Sequence, residues 1–301
     1  MALSFTSDAR PPSNTQLLPN RFLRPAFGEL YGFDADADSG VTIDGALLTE
    51  ANEFLMTEDN SNLLFDADVF SNINSISLDG VDDYIDCGGN TDFSFTDGAG
   101  NDDPFSVSTW VKLDSTFKQR IIAKGNVEWI LSTDSSNKLF FGLYSGSSTS
   151  TRIGLVSDSV VLTVGTWHHI VATYDGSNAD SGLTMYVDGS VVTASTSSAG
   201  SYTGMSSGQG ALRIGQWSFT SYLMGGLIDE TSVFDSELSS SQVTTIYNSG
   251  VPNDITSLSP LGFWRMGDNN GATGTTITDQ GSGGNDGTLT NGSTFSTTVP
   301  S

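Results

Sequence analysis

Trp167-His-His-Ile-Val-Ala-Thr-Tyr-Asp-Gly176 and Thr184-Met-Tyr-Val-Asp-Gly-Ser-Val-Val-Thr193 are two neighbouring stretches of β-forming residues. In the second stretch, Asp188-Gly189 separates two apolar runs. An Asp-Gly pair supplies the two positive-φ residues of a type I′ turn, which joins antiparallel strands. The sequence therefore predicts a hairpin centred on Asp188-Gly189 within an antiparallel sheet.

Short β-forming runs extend on both sides of this hairpin, between about residues 73 and 235. Gly, Asn, Asp and Ser clusters separate the runs, which include residues 105–112, 119–124, 127–133, 139–144 and 211–216. Regular spacing of this kind predicts a β-sandwich or a barrel. One helix is predicted after the last long strand, where Ser239 is a candidate N-cap, Gln242 completes a capping box and Gly250 follows.

The composition is strongly acidic. The 301 residues include 11 Lys and Arg against 35 Asp and Glu, which gives a formal net charge of −24. Binding to phosphates needs clustered cations, so this balance argues against nucleic acids and anionic membranes as partners. The excess carboxylates keep a surface soluble, and some of them are candidates for Ca²⁺. With Cys87 as its single cysteine, the chain has no intrachain disulfide.

Six motifs occur in an order that resembles laminin-G-like domains. They are residues 167–176 and 185–189 together with Leu78-Asp-Gly-Val-Asp-Asp-Tyr-Ile85, Phe105-Ser-Val-Ser-Thr-Trp-Val-Lys112, Ile121-Ile-Ala-Lys-Gly125 and Gly225-Gly-Leu-Ile-Asp-Glu230. The resemblance covers about residues 78–250. It implies an all-β, two-sheet antiparallel jelly roll of the concanavalin A-like type. Members of this family include glycan binders, adhesion modules and structural decorations, so the fold leaves the function open.

Three segments are predicted along the chain. Residues 1–72 form an arm that is rich in proline, contains Arg10, Arg21 and Arg24, and has a possible short helix after Asp44. The arm either docks on a partner or another copy of the chain, or is a disordered tail. Residues 73–250 form the jelly roll. Residues 251–301 resemble the family's opening strand and either fold back on the sandwich, which we favour, or pair with another subunit.

No catalytic residues are predicted. The resembling jelly-roll glucanases use a Glu-x-Asp-x-x-Glu strand, and this sequence contains none. Asp229 and Glu230 are neighbours, so alternation along a strand is expected to place them on opposite faces. The same alternation separates His168 from His169, which we interpret as packing and hydrogen-bonding residues. Cys87 is interpreted as a small buried apolar residue.

Calcium is the one cofactor that we predict. In many concanavalin A-like jelly rolls a structural ion ties the first strand to the last, and the resemblance implies such a site at Asp79, Asp82 and Asp229. The alternative is that these carboxylates make turns and accept backbone hydrogen bonds. The stretch Asp34-Ala-Asp-Ala-Asp-Ser-Gly40 resembles an EF-hand loop, but Gly45 stands where its last ligand belongs, so we interpret it as a solvated acidic turn.

Glycan recognition is predicted from aromatic residues in loops and at strand ends. Sugars stack their apolar faces on aromatic rings, while polar groups bond their hydroxyls. The candidate ligand-binding residues are Tyr144, Tyr202, Trp217, Phe219 and Tyr222. The alternative is that these rings bury themselves in a neighbouring subunit.

Two functions from different classes compete. The first is a non-enzymatic virion surface protein, either a capsid decoration or a tail or fibre component, which residues 1–72 anchor to virion proteins or to other copies of the chain. This hypothesis rests on the arm, on the fold resemblance and on an N-terminus that lacks the features of a signal peptide. The second is a bacterial extracellular glycan-binding or adhesion module. A glucanase is a third alternative, which the missing carboxylate motif disfavours.

Overall fold

The computed structural model describes residues 70–89, 91–125, 127–146, 148–208, 210–217 and 222–301. The predicted arm over residues 1–72, its short helix and the Asp34–Gly40 stretch therefore lie outside the described residues, apart from Phe70, Ser71 and Asn72. Residues 70–301 form one compact unit. Among the described helices, none has the length and apolar character that a membrane crossing requires.

The described strands are short, and each pairs with antiparallel neighbours. In chain order they are β1 (Ser75–Asp79), β2 (Tyr84–Asp86), β3 (Phe105–Leu113), β4 (Arg120–Lys124), β5 (Trp129–Thr133), β6 (Leu139–Tyr144), β7 (Arg152–Ser157), β8 (His168–Tyr174), β9 (Leu183–Val187), β10 (Ser190–Val191), β11 (Ala194–Thr196), β12 (Leu212–Ile214), β13 (Gly225–Phe234), β14 (Gly262–Trp264), β15 (Thr276–Ile277), β16 (Gly287–Thr290) and β17 (Thr294–Ser296). The helix α1 spans Ser240–Tyr247, and single 3-10 turns span Asp180–Gly182, Asn248–Gly250 and Thr256–Leu258.

These strands form two antiparallel sheets. The eight-stranded sheet has the order β10-β9-β8-β3-β13-β1-β17, with β14 also paired to β13. The nine-stranded sheet has the order β11-β7-β6-β5-β4-β12-β2-β16-β15. The predicted two-sheet antiparallel sandwich is confirmed. Strands from residues 251–301 lie in both sheets, since β14 and β17 pair in the first and β15 and β16 in the second.

The core between the sheets is built from side chains that alternate along the strands. Phe105 on β3 lies at its centre, with ring centroids 5.3 Å from Trp129, 5.9 Å from Phe141 and 6.0 Å from Tyr174. All four side chains are fully buried. Burying an aromatic side chain of this size contributes roughly 2 to 3 kcal/mol, so the fold is stabilised without a disulfide.

The predicted hairpin and the predicted helix meet on the outer face of the eight-stranded sheet. Asp188 and Gly189 have φ values of 50° and 74°, as the type I′ turn between β9 and β10 requires. Ser239 caps α1 and forms a capping box with Gln242, which confirms the predicted helix start. A Cβ at Gly189 would lie 2.8 Å from the Tyr247 ring, so this glycine is required by the helix as well as by the turn.

Candidate functional site

The outer face of the nine-stranded sheet contains a shallow cleft across β4, β5, β6 and β7. Phe140 forms its base, because the ring lies over the paired glycines Gly142 and Gly154 of β6 and β7. A Cβ at Gly142 would lie 2.5 Å from the Phe140 ring, and one at Gly154 would lie 3.3 Å from it. The two missing side chains therefore create the space in which the ring lies.

Aromatic rings form one wall of this cleft. Tyr144 at the end of β6 stacks on Trp217, with ring centroids 6.0 Å apart and an interplanar angle of 21°. Both of these rings are largely buried, whereas Tyr222 keeps 53 % of its surface exposed. Three of the five predicted ligand-binding residues are thus brought together, with Tyr222 presenting the most accessible ring.

Cations complete the cleft. The Arg120 guanidinium lies 4.6 Å from the Trp217 ring centroid and 5.6 Å from that of Tyr222. Lys118 extends its ammonium nitrogen to 4.9 Å from the same Tyr222 ring. Arg152 lies on β7 directly opposite Tyr144 in the ladder, and its Nε donates to the Ser197 carbonyl at 2.8 Å. Burial lowers the pKa of Lys118, and the neighbouring Arg120 lowers it further.

We refer to this site, lined by Lys118, Arg120, Phe140, Tyr144, Arg152 and Trp217, as the Arg120 cleft. Its volume is about 310 Å³, at the lower end of the range for small-ligand pockets. Ser132 and Thr133 add hydroxyl groups to the lining, and Asp134 adds a carboxylate. Rings, hydroxyls and cations converging on one concave surface can stack an apolar ligand face and bond its oxygen atoms.

A second cavity, of about 430 Å³, is lined by apolar residues and by the acids Asp92, Asp103 and Asp235. Although it is larger, no aromatic pair or buried cation appears among its described lining residues. An acidic groove in a chain of net charge −24 is explained by solvation alone. We therefore base the functional argument on the Arg120 cleft.

The other two predicted ligand-binding residues are placed differently. Tyr202 packs against the core, and its hydroxyl donates to Asp102 at 2.6 Å. Asp102 also accepts hydrogen bonds from the Tyr174 hydroxyl and the Met205 amide, so Tyr202 belongs to a network that holds loops together. Phe219 lies outside the described residues.

The three predicted calcium ligands do not converge on one point. In the β1–β13 ladder Asp79 pairs with Gly225, while Ile76 pairs with Ile228, next to Asp229. Asp79 and Asp229 are therefore separated by about four strand positions, or roughly 13 Å, whereas Ca²⁺ ligands lie about 2.5 Å from the ion. This register excludes a single ion held by both residues.

Asp79 and Asp82 instead lie beside Asp83, with carboxylate oxygens from all three within 4.8 Å of one another. Oδ1 of Asp79 also accepts hydrogen bonds from the amides of Val81 and Asp82, which is the turn-forming role that the sequence left open. These bonds lower the pKa of Asp79. The donor atoms suit Ca²⁺, and calcium binding here stays a prediction.

Asp229 belongs to a buried group of charges in the eight-stranded sheet, which we call the Arg265 cluster: Asp229, Glu230, Arg265 and Asp268. Arg265 lies 3.2 Å from Glu230 and 3.3 Å from Asp268. A β-bulge interrupts β13 after Asp229, and Glu230 has a φ of 42°. The bulge removes the strict alternation on which the expected separation of Asp229 and Glu230 rested.

Burial raises the pKa of two acids in this cluster, Asp229 and Glu230. The negative charge of Asp268 raises the pKa of each further, and the charge of Glu230 raises the pKa of Asp229 as well. Arg265 opposes the rise at Glu230, whose pKa reaches about 8. Asp229 is fully buried and Glu230 is 5 % exposed, so neither presents a carboxylate to a substrate in solution.

The histidines have packing and hydrogen-bonding roles, as we interpreted them. His169 packs against both Trp110 and Tyr247, and Ser108 Oγ lies 2.8 Å from its Nε2. Burial lowers the pKa of His169 to about 3, which keeps the ring neutral. His168 accepts a hydrogen bond from the Thr163 amide and contacts Asp188 through Nδ1 at 2.8 Å. Cys87 is buried, as expected, and burial raises the pKa of its thiol.

Sequence reasoning missed the cations and the base of the cleft. Arg120 begins an otherwise apolar strand run, and Phe140 alternates with core residues of β6. A charge inside a buried strand is a signal that was available, because such a residue needs a partner or a ligand. The neighbouring Gly142 and Gly154 were a second signal, since glycine inside a strand marks a close approach.

The match to a protein-family model decides the family. The model describes the concanavalin A-like lectin/glucanases superfamily, in its laminin-G form, and matches residues 82–244, more than half of the chain. The chain belongs to the concanavalin A-like lectin/glucanase superfamily. The suspected resemblance is thus confirmed. Comparison with curated proteins gives no match.

The chain is also similar to several solved structures. A candidate carbohydrate-binding protein from Bacteroides ovatus is 17 % identical, with a TM-score of 0.53 over 77 % of this chain and 62 % of that one. The chain therefore spans less than two thirds of that protein's length. A pentraxin of Limulus polyphemus is 18 % identical, with a TM-score of 0.42 over 58 % of this chain and 82 % of that one.

A sialidase-associated module from Ruminococcus gnavus, CBM40, was solved with α2,3-sialyllactose bound. It is 15 % identical, with a TM-score of 0.42 over 59 % of this chain and 100 % of that one. At 17 % identity the likeness to the Bacteroides ovatus protein shows the fold alone.

Proposed function

We propose that the protein is a non-enzymatic carbohydrate-binding protein and that the Arg120 cleft is its glycan site. The observation that carries this proposal is the convergence of Tyr144 and Trp217 with polar side chains on one concave surface of a lectin-like sheet, with the Tyr222 ring beside it at 5.6 Å from the Arg120 guanidinium. Tyr222 offers an exposed ring for a sugar face, and the Ser132 hydroxyl, which accepts from Arg120, keeps its own proton to donate to a sugar oxygen.

The absence of an enzymatic activity is supported by the carboxylates of the cleft. Glycoside hydrolysis needs two carboxyl groups that flank the scissile bond. Among the described lining residues the cleft has one, Asp134, and its Oδ1 accepts hydrogen bonds from the amides of Ser136 and Lys138. That carboxylate stabilises the turn in which it lies and has no second carboxyl group opposite it among the described lining residues. The proposed activity is therefore binding.

Binding to a glycan array, followed by calorimetry on the best ligand, tests the proposal. Tyr222→Ala is expected to weaken binding about 10-fold, because one stacked ring contributes roughly 1 kcal/mol or more. Tyr84→Ala is the matched control, since Tyr84 also stacks on an arginine, Arg213, at 5.0 Å but lies outside the cleft. Equal losses in the two variants, or no loss in either, would remove the cleft as the glycan site.

We further propose a virion surface location, with residues 1–72 as the anchor; an extracellular adhesion module is the alternative. Support comes from the sequence alone, through the distinct proline-rich and arginine-containing arm. Co-sedimentation of the full chain and of a fragment beginning at Phe70 with phage particles tests it. The fragment keeps Phe70 because Arg265 stacks on that ring at 4.0 Å. Binding to particles that survives loss of the arm would contradict the anchor.

A further inference from the structure

The Arg120 cleft concentrates positive charge on an acidic protein. Within the described part of the chain, three of the Lys and Arg residues line this one site: Lys118, Arg120 and Arg152. At physiological ionic strength the Debye length is about 8 Å, so most distant carboxylates are screened from a group bound in the cleft. These three cations outnumber the one lining carboxylate, that of Asp134, so the local charge favours an anionic ligand.

Arg120 is buried, and no described residue gives it an acidic partner. Only 5 % of the residue is exposed, yet among the described residues no carboxylate lies within ion-pair distance of its guanidinium. Nη1 donates to the Ser132 hydroxyl at 3.3 Å, and Nε has no hydrogen-bond partner. A buried cation is costly unless an anion or hydrogen bonds compensate it.

The other largely buried cations of the described chain show how this protein compensates such charges. Lys124 lies 3.6 Å from Glu128, and Arg265 lies 3.2 Å from Glu230. Arg120 departs from this pattern, and of these three largely buried cations in the described chain it is the one that lines the cleft. Its planar guanidinium is suited to bind a carboxylate or a sulfate through two parallel hydrogen bonds.

The other two cations are placed to assist. Arg120 from β4 and Arg152 from β7 both line the cleft, and the positive charge of each opposes the rise in the pKa of the Tyr144 hydroxyl that burial causes. Lys118 extends over Tyr222 at the exposed side of the cleft. As with Arg120, no carboxylate among the described residues pairs with Lys118 or Arg152 within 4.0 Å.

We propose that the Arg120 cleft selects acidic saccharides, with the anionic group of the sugar bound by Arg120 between Lys118 and Arg152. The sugar ring would then lie against Tyr222 and the edge of Trp217. This inference rests on the proposed glycan-binding function and adds the class of ligand. The shared chemistry is an anion carried on a sugar, either a carboxylate or a sulfate ester.

Calorimetry with saccharide pairs that differ only in charge tests the inference on the full-length protein. The pairs are trigalacturonate and its methyl ester, sialyllactose and lactose, and a sulfated chondroitin disaccharide and its unsulfated form. The first two pairs detect preference for a carboxylate, and the third detects preference for a sulfate ester. The acidic member of at least one pair is expected to bind at least 10-fold more tightly than its neutral counterpart.

The charge of the cleft is then removed one residue at a time. Arg120→Gln is expected to weaken binding of the acidic saccharide about 10- to 100-fold, as for a lost charge-assisted hydrogen bond, and to leave the neutral saccharide within about 2-fold. Lys112→Gln, which removes a cation from β3 in the other sheet, is the matched control and is expected to change neither. If Arg120→Gln does not fold, Arg152→Gln and Lys118→Gln provide the same comparison at more exposed positions.

Three outcomes are distinguishable. Acidic preference that Arg120→Gln abolishes and Lys112→Gln retains supports the inference. Equal binding of charged and neutral members, lost in Tyr222→Ala, overturns the charge selectivity while the proposed glycan site stands. Absence of binding to every saccharide on the array and in these pairs overturns both.

Discussion

Arg120 and Arg265 are both shielded guanidinium groups that stack on an aromatic ring, yet their surroundings differ. Arg120 lies 4.6 Å from the Trp217 ring centroid, and Arg265 lies 4.0 Å from that of Phe70. Arg265 also contacts two carboxylates and donates to the Ser71 carbonyl, whereas Arg120 donates to one serine hydroxyl, that of Ser132, at 3.3 Å.

This difference separates a structural cation from a cation available to a ligand. In the Arg265 cluster three acids surround one arginine, so removing the cation leaves buried carboxylates uncompensated. In the Arg120 cleft no described acid depends on the arginine, so removing it leaves no unpaired partner. The two sites therefore make opposite predictions for stability and for binding.

The largest expected effect is that of Arg265→Gln. This change leaves Glu230 and Asp268 buried without their cation and is expected to lower the free energy of unfolding by about 3 to 5 kcal/mol. Urea unfolding at pH 9, above the Glu230 pKa of about 8, with Lys112→Gln as the control for loss of a cation, measures it. A loss below about 1 kcal/mol would show that Arg265 contributes no more to stability than Arg120 does. That result would contradict the distinction between the two arginines.

The pH dependence of stability tests the acid side of the Arg265 cluster. The pKa of Glu230 is raised from 4.5 to about 8 in the folded state, so folding retains a proton that the unfolded chain releases. This contribution to stability is complete below pH 4.5 and is lost as the pH rises through about 8. Asp229, Asp268, Arg265 and Asp254 are the charged groups that act on Glu230.

Glu230→Gln removes this titration. The variant is expected to flatten the decline in melting temperature between pH 5 and pH 9, and to gain on the order of 1 to 2 kcal/mol relative to the unmodified protein at the upper end. Melting curves at four pH values measure the slope. Parallel slopes in the two proteins would contradict a raised pKa at Glu230.

Arg120→Gln is expected to change stability by no more than about 1 kcal/mol. Relief of the buried charge offsets the lost contact with Trp217, which contributes roughly 0.5 to 2 kcal/mol. Urea unfolding beside Arg265→Gln sharpens the comparison, because both variants lose one shielded arginine. A loss of 3 kcal/mol or more would assign Arg120 a structural role.

The smallest expected effect concerns calcium at Asp79, Asp82 and Asp83. Addition of 5 mM Ca²⁺ is expected to raise the melting temperature by about 1 to 2 °C, since an ion that binds only the folded state stabilises it. Asp82→Asn is expected to remove the increase, and Asp235→Asn, at an exposed acid elsewhere, to retain it. An identical shift in all three proteins would indicate a nonspecific salt effect.

The sequence was most informative where chemistry is local. Asp188-Gly189 predicted a turn because its backbone requirement is fixed by two residues, and Ser239 with Gln242 predicted the start of α1 for the same reason. The aromatic residues Tyr144 and Trp217 were found because loop and strand-end rings are conspicuous in a polar sequence.

Prediction failed where the answer depends on strand register. The ladder between β1 and β13 separates Asp229 from Asp79, and no local pattern specifies that pairing. The cations of the cleft come from β4, from β7 and from the residues before β4, so only the folded sheets bring them together. The sequence could predict that Arg120 lies in a buried strand. It could not predict that no described carboxylate lies within ion-pair distance of Arg120, because that depends on the three-dimensional structure.

The glycine pair beneath Phe140 implies that the depth of the cleft and its charge are set by different residues. Gly142 and Gly154 leave space for the Phe140 ring to lie close to the sheet, while Lys118, Arg120 and Arg152 supply the positive charge of the cleft. A methyl group at either glycine would lift the ring toward the ligand without altering any ionisable group. Ligand size and ligand charge are thus separately adjustable, which makes this sheet a convenient scaffold for engineering binders of chosen specificity.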